Sequence, residues 1–227
     1  MKNDKKIIVA LDSDNISESL NLVDKLKKEA FAFKIGYEFF YNFGLIGYKK
    51  IKNKKVKIFL DLKLHDIPNT VKKGIIAINK LSPYFTSIHI SGGDQMQIEA
   101  MNNKKRTKIL GISLLTSMDE YQTKKYYNSN TINKLVKKFV LNAMKNNIDG
   151  VVCSPHEIKL INKLSSKKLI IVTPGIRPDN YVKDDQKRFM TPQQAINLGA
   201  NYLVIGRPIT KSPNPLEEII SINSSIE

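Results

Sequence analysis

The chain has a single cysteine and no tryptophan among its 227 residues. Cys153 has no second thiol to pair with, so an intrachain disulfide is excluded, and its place in an apolar run predicts a buried structural thiol. No apolar run approaches the roughly 20 residues a membrane span requires. Residues 1–6 are polar and lack the apolar centre of a signal peptide, which predicts a cytoplasmic protein without a membrane partner. No Gly/Ser-rich linker or low-complexity stretch divides the chain, so a single domain is expected over 1–227. Carboxylates are scarce: 21 acidic residues face 37 basic ones, for a formal charge of +16. Such a charge suggests a nucleic-acid partner when it is clustered. Here only Arg106, Arg177, Arg188 and Arg207 are arginine, and the lysines are spread over many segments, Lys25, Lys27, Lys28, Lys49, Lys50 and Lys52 among them. A solvated lysine-rich surface is the reading this supports, with no nucleic-acid partner.

Apolar residues at 41% and charged residues at 26% match ordinary globular usage and supply a sizeable core. Short runs rich in β-branched and aromatic residues alternate with longer helical patterns from end to end. The runs predict strands at 6–12, 32–37, 57–63, 85–91, 108–116, 150–154, 169–173 and 202–206. Helical candidates follow them, as at 17–29, with apolar Leu22, Val23 and Leu26, and at 131–145, with Leu135, Val136, Phe139 and Val140. Eight strand–helix units in this length predict an α/β fold, a single-domain (β/α)8 TIM barrel. An open doubly wound sheet fits the same alternation, but no G-x-G-x-x-G follows the first strand.

Side chains two apart on a strand share a face, and barrel active sites lie at the carboxyl ends of strands. In the third strand that rule selects Asp61 and Lys63, with Asp66 three residues on. A water-bathed rim ion pair is the competing reading. Lys34 interrupts an apolar strand and is costly there unless a carboxylate faces it or its tip reaches solvent. Asp12 closes the first apolar run, either in the barrel mouth or as the N-cap of the next helix. The seventh strand runs into Thr173-Pro-Gly-Ile-Arg177 and the eighth into Val204-Ile-Gly-Arg207. Barrels bind phosphate with these two loops, using backbone N–H groups that glycine exposes and a charge-assisted arginine contact. Arg207 is the candidate contact, against a surface ion pair. Arg177 serves the phosphate or holds its own loop.

The string Asp61-Leu-Lys-Leu-His-Asp-Ile-Pro-Asn-Thr70 resembles the signature of the orotidine 5′-monophosphate decarboxylase family, in its shorter, stand-alone bacterial form. The resemblance extends through Val9-Ala-Leu-Asp12, Phe33-Lys-Ile-Gly36, Leu115-Thr-Ser117, Thr173-Pro-Gly-Ile-Arg-Pro178, Asp185-Gln-Lys-Arg188 before Thr191-Pro192, and Val204-Ile-Gly-Arg-Pro-Ile209. It implies a cofactor-free, metal-free decarboxylase of orotidine 5′-monophosphate in pyrimidine biosynthesis, working as a homodimer. By the same resemblance Lys34, Asp61, Lys63 and Asp66 form a charged relay, with Asp66 and Thr70 reaching into the partner's site. Lys63 would stabilise and protonate the C6 carbanion. Asp12 would bind the ribose and Thr116 the pyrimidine, while Gln186, Gly206 and Arg207 hold the phosphate, with Arg177 beside them. Residues 117–130 align to no pattern. Related enzymes acting on sugar phosphates share the D-x-K-x-x-D core but use magnesium, and Lys34 inside the barrel argues against a cation there.

Overall fold

The computed structural model describes residues 5–166, 168–178 and 190–226. In chain order the elements are β1 (Ile7–Ala10), α1 (Ile16–Leu26), β2 (Ala32–Ile35), α2 (Tyr37–Lys52), β3 (Ile58–Leu64), α3 (Pro68–Leu81), β4 (Phe85–His89), α4 (Asp94–Asn103), β5 (Lys108–Ile112), α5 (Glu120–Tyr127), α6 (Ile132–Lys145), β6 (Gly150–Val152), α7 (Ile158–Ser165), β7 (Ile170–Thr173), α8 (Pro192–Asn197), β8 (Tyr202–Ile205), α9 (Arg207–Thr210) and α10 (Pro215–Ser225). Each strand pairs in parallel with the next, and β8 returns to β1, which closes the predicted eight-stranded barrel.

Closure separates two apolar layers, because alternate strand residues point to opposite faces. Ile8, Ala10, Ala32, Phe59, Phe85, Leu110, Val172 and Val204 fill the inside. Ile7, Val9, Phe33, Ile35, Ile58 and Leu60 instead meet the helices, among them Val23 and Leu26 of α1 and Val136 and Val140 of α6. The strands are thus buried on both faces, which explains their near-continuous apolar runs. Inward parity carries on past the apolar layer: Lys34 follows Ala32, Asp61 follows Phe59, and Ser87 and His89 follow Phe85.

The first and fifth strands end earlier than the composition predicts. The fifth stops at Ile112 rather than at 116, and the first at Ala10, leaving Asp12 beyond the ladder. Asp12 is not the cap of α1. That place belongs to Asn15, whose side chain accepts from the N–H groups of Ser17 and Glu18.

Candidate active site

The carboxyl ends of β1 to β4 gather the charged groups. Lys34 donates from Nζ to Asp12 Oδ1 at 3.0 Å, and only 13% of its side chain is exposed. The ammonium therefore turns inward to meet a carboxylate and does not snorkel. Gly36 makes room for it: a Cβ there would lie 2.9 Å from Lys34 Nζ and 3.4 Å from Asp12 Oδ1.

On β3, Lys63 Nζ donates to Asp61 Oδ2 at 2.8 Å. Regular alternation alone does not make this pair. The β3–β4 ladder shifts register between Leu60 and Leu64, and Lys63 takes a left-handed φ of 46°. For a lysine this conformation costs roughly 1–2 kcal/mol. Ser87, fully buried on β4, offsets the strain by accepting the Lys63 N–H at 2.9 Å. The same hydroxyl donates to Asp61 Oδ1 at 2.7 Å. Both Asp61 oxygens are therefore occupied, and the group is a built cluster rather than a loose rim pair.

Three further residues border it. Lys63 Nζ lies 5.4 Å from the centroid of the Tyr37 ring, and Tyr37 Oη donates to Leu62 O at 3.3 Å. Burial and the Asp61 carboxylate push the Tyr37 phenol up. The His65 and His89 rings sit 5.0 Å apart. Burial first, then His65 and the Lys63 ammonium, push His89 down to about 4, against a smaller opposing pull from Asp61.

Asp66 and Thr70 do not join the cluster within this chain. The Asp66 carboxylate accepts its neighbour's N–H, from Ile67, at 2.6 Å, and both Asp66 and Thr70 are exposed. Thr116 is half-buried in the loop between β5 and α5. Gly206 adjoins Asp12, with space for a Cβ 3.9 Å from Asp12 Oδ2. Arg207 opens α9 and lines a cleft of about 480 Å³ with Pro178, Thr191 and Lys211, so the loops after β7 and β8 do face each other there. Arg177 is buried, donating from Nη1 to Ile176 O at 3.0 Å, while its backbone N–H bonds Met190 O. Gln186 lies outside the described residues.

Ser87, His89 and Tyr37 were not among the candidates drawn from the sequence. A signal for the first two existed, since Phe85, Ser87 and His89 alternate on β4 as Phe59, Asp61 and Lys63 do on β3. Both are uncharged or weakly basic residues of a kind that strands often carry, and only the fold sets them beside Asp61. Among the described residues no three His, Cys, Asp or Glu side chains converge as a metal-ligand group. Nor, among them, is any helix long and apolar enough to cross a membrane.

A closed parallel barrel with paired lysines and aspartates at the carboxyl ends of its strands defines a (β/α)8-barrel protein of the enzyme type. Residues 5–222 match the Orotidine 5′-phosphate decarboxylase / HUMPS family, and the chain belongs to it. It is 41% identical over 222 residues to the orotidine 5′-phosphate decarboxylase of Legionella pneumophila strain Paris, covering 96% of this chain and 97% of that one. It is 39% identical over 229 residues to the enzyme of the same name from Actinobacillus succinogenes, covering 98% of each. The crystal structure of orotidine 5′-phosphate decarboxylase from Lactobacillus acidophilus is similar at 34% identity and a TM-score of 0.86, over 99% of this chain and 100% of that one.

Proposed function

We propose that the chain decarboxylates orotidine 5′-monophosphate to uridine 5′-monophosphate, the last step of de novo UMP synthesis, as a homodimer and without metal or organic cofactor. The observation that carries the reading is the Lys63–Asp61–Ser87 cluster, an ammonium fixed at the mouth of a barrel of this family.

The C6–CO₂ bond breaks and leaves its electron pair on a ring carbon that delocalises charge poorly. A preorganised cation is the natural stabiliser. Lys63 faces the developing carbanion and gives C6 the proton that replaces CO₂. Asp61 keeps that ammonium aimed, with Asp66 of the second subunit completing the relay. Lys34 and Asp12, already paired, hold the ribose. Thr116 meets the pyrimidine, and Thr70 approaches from the second subunit. Gly206, Arg207 and Gln186 bind the phosphate, with Arg177 securing its loop. Contacts this far from C6 supply binding energy that orders the site.

The homodimer is supported by the apolar surface beside the cluster. Tyr37, Tyr41 and Ile46 on α2 and Ile67 next to Asp66 are 46%, 79%, 72% and 67% exposed. A second copy of the chain would cover them.

The test is the fall in pyrimidine ultraviolet absorbance when purified protein meets orotidine 5′-monophosphate, with a keto-sugar phosphate as rival substrate and a chelator in parallel. The expected result is chelator-insensitive turnover of the nucleotide, reduced on the order of 10³-fold in Lys63→Ala. Turnover of only the sugar phosphate, lost with chelator, would assign the chain to the other branch of its family.

A further inference from the structure

The opposite end of the barrel carries a feature the reaction leaves unused. Lys6, Phe31, Lys57, Tyr84, Lys108 and Tyr202 all stand at the amino ends of strands and line an open cleft of about 670 Å³. A second cleft of about 600 Å³ shares Lys57 and Tyr84 with it and adds Lys55, Lys105 and Arg106. Residues that lie far apart along the chain thus converge when the barrel closes. The expectation of no nucleic-acid partner rests on the spread of these basic residues along the chain, which the closed barrel gathers at one end.

Two properties of the cluster bear on what it binds. No Asp or Glu lines either cleft; Lys5 at the edge of the first pairs with Glu29, whereas none of Lys6, Lys55, Lys57, Lys105, Arg106 and Lys108 has a carboxylate within ion-pair distance among the described residues. Some lysines elsewhere have a carboxylate, as Lys27 with Asp24, Lys72 with Glu99 and Lys104 with Asp149, and others lack one, but in the two clefts the unpaired cations converge. Six unneutralised cations in one place repel one another, a burden that a polyanion relieves. Secondly, the cations are interleaved with rings. Phe31 stacks on Tyr202 with centroids 4.1 Å apart and meets Tyr84 edge-on at 5.3 Å. Lys57 Nζ stands 4.1 Å from the Phe31 centroid and 5.0 Å from that of Tyr84, and Lys108 Nζ 5.5 Å from the latter.

Mobile lysines around partly exposed rings suit a repeating phosphate backbone whose bases are free to stack, a combination neither a lipid surface nor an acidic peptide uses. None of the cleft residues is among the large apolar side chains exposed on the described surface, so nothing there is available to insert into a bilayer. We infer that the amino-terminal face of the barrel is a sequence-independent binding surface for single-stranded nucleic acid. It lies at the far end of the strands from the Lys63 cluster, so binding there and catalysis are compatible.

The test is fluorescence anisotropy of the full chain with a labelled oligouridylate of about 20 nucleotides. Binding should weaken steeply with salt, log K falling by about 0.7 per decade of salt for every phosphate neutralised. Lys57→Gln/Arg106→Gln/Lys108→Gln should weaken it at least about tenfold and reduce the slope by about 2. Lys134→Gln/Lys137→Gln/Lys138→Gln removes equal charge from the exposed face of α6 and should change it less than about twofold. Lys105→Gln/Arg106→Gln, which touches no ring contact, repeats the loss without disturbing the aromatic cluster. Retained decarboxylation in every variant reports a folded barrel, and circular dichroism does so independently of that activity. Equal weakening in the α6 variant overturns the inference, as does equal affinity for duplex, anionic vesicles or polyglutamate, or no binding at low salt.

Discussion

The hydroxyl of Ser87 donates to Asp61 at 2.7 Å and accepts the backbone N–H of Lys63 at 2.9 Å. One buried group on β4 thus fixes both the carboxylate that holds the Lys63 ammonium and the backbone from which that lysine projects. Its position answers a local problem, because the strand must bulge and turn left-handed at Lys63 to bring the two side chains of β3 together.

Ser87→Ala leaves Asp61 Oδ1 and the Lys63 N–H without this partner. Leaving a buried polar group unpaired costs about 1–3 kcal/mol, to be read as a fall in unfolding midpoint. A loosened Lys63 also lowers kcat, by about 10- to 100-fold, with a much smaller change in KM. A variant that loses stability but keeps kcat would make Ser87 merely structural.

The space beside Lys34 predicts a second defect. A Cβ at position 36 would stand 2.9 Å from Lys34 Nζ, so Gly36→Ala displaces the ammonium from Asp12. Affinity for uridine 5′-monophosphate should fall about tenfold in titration calorimetry, and Lys34→Met should fall at least as far. Unchanged affinity in both would remove the Lys34–Asp12 pair from nucleotide binding.

Lys34 was legible because charge inside an apolar strand is costly and so conspicuous, Asp61 and Lys63 because they share a face at a strand's carboxyl end, and the loops after the seventh and eighth strands because glycine and arginine recur there. The eightfold alternation likewise gave the barrel, with strand ends overshooting where β-branched residues run on into loops. What stayed hidden depends on three dimensions. A lysine carries no residue-type signal for φ of 46°, a serine on a strand is common, and the contact between Ser87 and Asp61 spans 26 positions. Asp66 was legible only as a motif member, since its carboxylate points at its own backbone in one chain.

His89 predicts a pH dependence of stability. Its imidazole is pushed from the ordinary 6.5 down to about 4, so between these values the unfolded chain binds a proton that the folded chain refuses. Stability attributable to this group is complete above about pH 6.5 and is lost as pH falls toward 4. With solvent screening of this half-buried ring, the total is about 2 kcal/mol at most. Thermal unfolding of the native chain should therefore steepen across that window relative to His89→Gln. Parallel curves would show that the imidazole is protonated alike in both states.

Asp66 offers the sharpest test of a shared site. Its exposed carboxylate lies off the Lys63 cluster of its own chain, and Ile67 beside it is 67% exposed. If a second subunit supplies Asp66, the Lys63→Ala and Asp66→Ala homodimers are each nearly inactive, but their hybrid contains one doubly damaged site and one intact site. Random exchange makes half the dimers hybrid, so activity should return to about a quarter of the native value on mixing after mild dissociation. If Asp66 serves its own chain, both sites of the hybrid carry a lesion and mixing restores nothing. The two arrangements thus differ in whether activity appears at all.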